Sequence, residues 1–134
     1  MSYFLESQLS QALRTVPKAM AAGLLNLETR KLIDLKTTSS HPTEVFGHIA
    51  AASHDLYEGP NVRYVEEVFR RSRGEQDADQ RYFQEILMFS TNLVHYLCRL
   101  PKRQHLVFGV ATSVHVNVGL VLVKAREAVR SIRT

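Results

Sequence analysis

The stretch that decides the fold runs from Tyr82 to Thr112. It reads Tyr82-Phe83-Gln84-Glu85-Ile86-Leu87-Met88-Phe89-Ser90, then Leu93-Val94-His95-Tyr96-Leu97-Cys98-Arg99-Leu100, then Gln104-His105-Leu106-Val107-Phe108-Gly109-Val110-Ala111-Thr112. The runs are rich in aromatic and β-branched residues. They are separated only by Thr91-Asn92 and Pro101-Lys102-Arg103. Connections that short join antiparallel neighbours, because a parallel crossover needs a dozen or more residues. Side chains alternate along a strand. Val94, Tyr96, Cys98 and Leu100 therefore share one face of the middle run, and Leu93, His95 and Leu97 share the other. Both faces are apolar, so the sheet needs cover on both.

The cover lies on either side in the chain. Beyond Thr112, Val114, Val116, Val118, Leu120 and Leu122 alternate as in a strand. Val118, Val121, Leu122, Ala125, Ala128, Val129 and Ile132 fit a helical face over a longer span. The longer pattern predicts a helix with Asn117 as its cap. At the other end, Leu5, Leu9, Ala12, Leu13 and Val16 form one helical face that Ser2 would cap and Pro17 would end. Ala19 to Leu27 and Lys31 to Lys36 read as two strands of a hairpin around Asn26, Glu28, Thr29 and Arg30, a turn without glycine.

After the polar loop Thr37 to His41, Pro42 suits the first turn of a second helix, with Glu44 near its positive end. Val45, Ile49, Ala52 and Leu56 make one stripe along it, with Phe46, Ala50, Ser53 and Tyr57 beside them. A helix with two such stripes packs on two surfaces at once. Glu58-Gly59-Pro60-Asn61 breaks it. Val62, Val65, Val68 and Phe69 suggest an extra short helix within residues 60–73, followed by a charged loop from Gly74 to Gln80. The expected fold is α+β: a five-stranded antiparallel sheet with helices on both faces, in the order α-β-β-α-β-β-β-α.

The chain has 134 residues, 45% of them hydrophobic. That suits one domain spanning residues 1–134, able to bury its own core. Its single cysteine, Cys98, excludes an internal disulfide and reads as a core-filling residue. The start lacks a basic region followed by an apolar run, and no apolar stretch approaches the roughly 18 residues of a membrane span. The expectation is a cytoplasmic protein. The net charge of +4 is compatible with an acidic partner. The basic residues are interleaved with acidic ones, however, and the basic aromatic stretches Arg63-Tyr64 and Arg81-Tyr82-Phe83 are too sparse for nucleic-acid stacking. Arg99, Lys102 and Arg103 read as a solvated turn. Lys124, Arg126, Arg130 and Arg133 read as a helix end.

No pattern carries catalysis. Ser53-His54-Asp55 holds the letters of a triad, but consecutive helical residues point about 100° apart. None of the six histidines has the i, i+4 spacing of a helical zinc pair. His95 and His105, on consecutive strands, would face each other across a turn, yet a metal there needs two further ligands. Glu66 and Glu67 read as solvated. Glu85 is either a polar guard on an edge strand or the partner of a charge on another subunit. Gly109 and Gly119 belong to no phosphate-binding loop. No cofactor, metal or catalytic residue is expected.

The order of elements resembles the Roadblock family, related to dynein light chains and to bacterial regulators of small GTPases. The resemblance spans about residues 3–132. It is carried by Ala19 to Leu27 as first strand, Glu44 to Tyr57 as central helix, and His105 to Thr112 followed by Asn117-Val118-Gly119-Leu120 at the end. Two features differ: Glu58 to Gln80 is longer than the family's usual connection, and Glu28-Thr29-Arg30 replaces an aspartate-glycine turn. The resemblance implies a Roadblock/profilin-like fold and a homodimer paired through the third strand and the central helix. Its interface would use Phe46, Ile49, Ser53, Tyr82, Gln84, Glu85, Ile86, Leu87 and Met88. The function implied is a non-catalytic interaction protein that binds a small GTPase or similar switch. A scaffold or cargo adaptor with no GTPase partner is the alternative. Third comes a small-molecule sensor or enzyme, which would need a deep pocket lined by His95, His105 or Glu85.

Overall fold

A computed structural model describes residues 2–38, 43–74 and 81–133. Pro42, the loop around His41, residues 75–80 and the side chains of residues 43–47, Phe46 among them, lie outside the described residues, as do the side chains of Ser2 and Tyr3. The chain runs α1 (Ser2–Thr15), β1 (Ala19–Asn26), β2 (Lys31–Thr37), α2 (Thr43–Glu58), α3 (Pro60–Arg73), β3 (Glu85–Phe89), β4 (Leu93–Leu100), β5 (Arg103–Ser113) and α4 (Val118–Ser131). The strands form one antiparallel sheet in the order β2-β1-β5-β4-β3. The expected α+β architecture is present, with β2 and β3 at the edges.

Both apolar faces of the sheet carry helices. Leu5, Leu9, Ala12 and Val16 of α1 join Val121, Ala125 and Val129 of α4 over Leu24, Tyr96, Cys98, Leu100, Phe108 and Val110. On the opposite face, Ala50 and Tyr57 of α2 cover Leu25, Leu27, Leu97 and Val107, with Ile86 and Met88 at the margin. The two-sided apolar pattern of β4 thus separates two cores. Of the two α2 stripes, the one holding Ala50, Ser53 and Tyr57 is buried, while Ile49, Ala52 and Leu56 are exposed.

Local signals set the ends. The Asn117 carboxamide oxygen accepts from Leu120 N at 3.1 Å, capping α4 and resolving residues 118–123 as helix. Gly74 closes α3 at φ 70, a left-handed conformation that glycine adopts without a steric penalty. This helix has 14 residues, longer than the short element the sequence suggested. The glycine-free β1–β2 turn is built differently. Asn26 Oδ1 accepts from Glu28 N and Thr29 N, Asn26 O accepts from Arg30 N at 2.8 Å, and Arg30 sits at φ 62.

Candidate functional site

Arg99 determines where the edge strand begins. It lies on β4 between Cys98 and Leu100, and its side chain is 1% exposed. Its Nε donates to Phe83 O at 2.7 Å and Nη1 to Gln104 O at 2.7 Å. Nη2 donates to Tyr57 O at 3.3 Å and to Glu58 Oε2 at 2.7 Å. The guanidinium also lies 4.7 Å from the centre of the Tyr57 ring, within cation–π range. Burial alone would raise the Glu58 carboxyl, but the hydrogen bond and charge of Arg99 outweigh it and hold the group below its ordinary value. Burial pushes the Tyr57 phenol far up, and its hydroxyl donates to Gln84 O at 3.0 Å.

The solvated-turn reading of Arg99 is therefore wrong. Its fork binds α2, the chain entering β3 and the start of β5 together. A charged residue in an otherwise apolar strand was the available signal.

The segment before β3 is tied mainly by side chains, with the Gln84 carbonyl joining the ladder by accepting from Arg99 N. Glu66, also read as solvated, is 3% exposed, and its Oε2 accepts from Tyr82 N at 2.7 Å. Gln84 Nε2 donates to Arg81 O at 2.7 Å and its side chain pairs with that of Gln104. The strand expected from Tyr82 to Ser90 consequently starts only at Glu85. Tyr82 and Gln84 do not lie on the edge strand. Tyr82 instead stacks on Phe69 (centroids 5.1 Å apart), with Phe83 edge-on and the Arg73 guanidinium over both Phe69 and Tyr82. These three rings are partly exposed.

The remaining edge has two distinct sides. Arg99 N donates to Gln84 O and Ser90 N to Leu93 O. Bonded pairs alternate in an antiparallel ladder. With Ile86 opposite Leu97 and Met88 opposite His95, residues 84, 86, 88 and 90 bond inward to β4. The backbone N–H and C=O groups of Glu85, Leu87 and Phe89 then point to the open edge. The side chains of Leu87 and Phe89 are exposed, Phe89 at 63%. Ile86 and Met88 pack beneath α2.

Glu85 is held inside its own chain. Its carboxylate accepts from Arg126 of α4 at 2.7 and 2.9 Å and from the Tyr96 hydroxyl. The Arg126 bond lowers the Glu85 carboxyl against the opposing effect of burial. Arg126, read as part of a solvated helix end, is thus paired. On α2, Ile49 lies on the exposed stripe, whereas Ser53 is 3% exposed and buried within the chain itself, so it is not available to a partner. Two exposed apolar features result: Leu87 and Phe89 of β3 on the α1/α4 face, and the Ile49–Ala52–Leu56 stripe of α2 on the opposite side of the sheet.

The other sequence candidates do not assemble. His95 lies opposite Ala111, not His105. Among the described residues no group of three or more His, Cys, Asp or Glu is placed to hold a metal ion. Ser53 is buried while Asp55 is exposed, so the Ser-His-Asp run forms no relay. Cys98 is buried, and burial raises its thiol pKa, which keeps it unreactive. Among the described residues no helix is long and apolar enough to cross a membrane.

No protein-family model and no curated protein sequence matches the chain. Solved structures do match. An MglB with a tetrameric arrangement superposes with a TM-score of 0.69 at 14% identity, over 96% of this chain and 85% of its own. The gliding protein MglB of Thermus thermophilus gives 0.66 at 16% identity, over 93% and 82%. A Roadblock/LC7 domain from Streptomyces avermitilis gives 0.68 at 14%, over 96% and 94%. The chain has the Roadblock/LC7 fold.

Proposed function

We propose that residues 1–134 act as one non-catalytic Roadblock-type unit that forms a homodimer through β3 and binds a small GTPase or similar switch protein. The observation carrying the dimer is the open β3 edge. It has outward-facing backbone groups and exposed Leu87 and Phe89. Such an edge is a template for pairing unless another chain covers it, and two-fold pairing matches the strand to itself. The tetrameric arrangement of the MglB neighbour supports assembly as part of the reading. The GTPase rests on the family resemblance. Regulation would follow from unequal affinity for the partner's two nucleotide states.

Light scattering tests the first half: the sequence mass is 15.2 kDa, and a particle of twice that mass is expected. Binding to GDP- and GTP-loaded small GTPases tests the second. Equal or no affinity for both states across a panel would remove the regulatory reading.

A scaffold without a GTPase is favoured by one observation, the partly exposed ring cluster of Phe69, Tyr82 and Phe83 beside α3. Partners lost on Phe69→Ser but retained by a dimer-breaking variant would support it.

A further inference from the structure

The described residues of α2 cover only part of the sheet face beneath them, and beside that part lies a hollow. Gly23 of β1 is the register partner of Gly109 of β5, and Ala21 is the partner of Ala111. The four small residues form a floor. Leu35 of β2 stands opposite Gly23; Leu97 and His95 of β4 stand opposite Gly109 and Ala111. Leu25, Leu32 and Leu93 line its sides and Ile49 overhangs it, leaving a half-open hollow of about 220 Å³. Small residues in a sheet commonly admit a closely packed helix, but the buried positions of α2 lie elsewhere. Ala50 and Tyr57 cover Leu25, Leu27, Leu97 and Val107. Of the described α2 side chains, only Ile49 reaches the floor.

The glycines are held by space rather than by backbone conformation. A Cβ on Gly109 would come 2.9 Å from Leu97 Cδ2, and one on Gly23 would come 3.1 Å from Leu35 Cδ1 and from Asp34 O. The leucines lean over the glycines, and the hollow lies between them. Among the described lining residues none is charged, and His95 is the one with a polar side chain. Its Nε2 is 3.3 Å from Ser90 Oγ. Burial lowers its pKa, favouring the neutral ring.

From this geometry we infer a binding site for a small, neutral, apolar molecule of one or two rings, with its single polar group toward His95. Size and charge set the class. A closed apolar cavity of about 150 Å³ accepts benzene, and a half-open hollow of about 220 Å³ has room for a fused bicycle. An α-helix about 10 Å across is too wide. An ionised ligand would find no counter-charge among the described lining residues and would lose its hydration. The described lining belongs to one chain, with Ile49 at its rim also on the exposed α2 stripe.

Indole is a suitable probe, titrated into the full chain and followed by NMR. Saturable shifts confined to Ala21, Ile49, His95 and Ala111 are expected. Ala111→Leu, which fills the floor, should weaken binding at least tenfold while leaving the circular dichroism unchanged. Ala21→Val serves the same purpose if Ala111→Leu does not fold. No saturable shift up to the solubility of indole, or equal binding by the filled variants, would overturn the inference.

Discussion

Arg99 Nη2 and Glu58 Oε2 meet at 2.7 Å in a pair whose side chains are 1% and 15% exposed, with the arginine fork also bonded to three backbone carbonyls. Two ions so little hydrated are stable only when every lone pair and proton is satisfied, and here the carbonyls of Tyr57, Phe83 and Gln104 complete the arginine. Arg99→Ala leaves Glu58 with Arg63, whose Nη1 lies 2.7 Å from Oε1, and takes the Arg99 donor away from those carbonyls. The expected loss is about 3–5 kcal/mol, the range for breaking one side of a buried pair, measured by urea unfolding. Arg99→Lys should recover little of it, because an ammonium cannot reach several fixed acceptors as a planar fork does.

The same pair gives the protein an acid limit. Glu58 and Glu85 both have folded-state pKa values below the ordinary 4.5. The unfolded chain therefore binds more protons through that range, and stability falls as pH drops. The contribution is fully present above about 4.5 and is lost as pH falls through the lower folded values. Thermal unfolding between about pH 6 and pH 3 should show a decline for the unmodified chain. Glu58→Gln, less stable at neutral pH, should show a shallower one. Equal slopes would mean that Glu58 does not titrate with folding.

The fold was legible because it rests on periodicity. Alternation over Leu93–Leu100 marked a strand covered on both sides, and the longer helical pattern from Val118 outweighed the brief alternation before it. Long-range polar pairing was not legible. The partners of Arg99, Glu66 and Glu85 are distant in sequence, at Glu58, Tyr82 and Arg126, so each charge looked solvated or unassigned by itself. The start of β3 was misplaced for the same reason: Tyr82 and Phe83 have strand-like composition, but side chains take their backbone groups. On α2 both stripes were visible, and only packing shows that Ser53 belongs to the inner one.

The β1–β2 turn offers a prediction about strain. Arg30 occupies φ 62, where a residue with a Cβ is disfavoured by about 1–2 kcal/mol. Glycine removes that cost but makes the unfolded chain more flexible, by about 0.5–1 kcal/mol. Arg30→Gly should therefore stabilise the protein by about 0.5–1 kcal/mol, raising Tm by roughly 2–4 °C. Asn26→Ala should do the opposite, because its side-chain oxygen accepts from both Glu28 N and Thr29 N. Calorimetry on the two variants reads both signs.

The alternation along β3 allows pairing to be separated from folding. Leu87 points its N–H to the open edge, and Ile86 lies in an inward-bonded pair with Leu97. Proline removes a backbone donor and is tolerated on the free side of an edge strand. Leu87→Pro should therefore keep the fold and shift the particle from twice 15.2 kDa to 15.2 kDa. Ile86→Pro breaks a bond to β4 and lifts Ile86 from beneath α2, so it should lower Tm whatever the oligomeric state. Light scattering and circular dichroism on the two variants decide the matter. A folded Leu87→Pro dimer would place the interface away from the β3 edge. The exposed Ile49–Ala52–Leu56 stripe of α2 would then be the next surface to substitute.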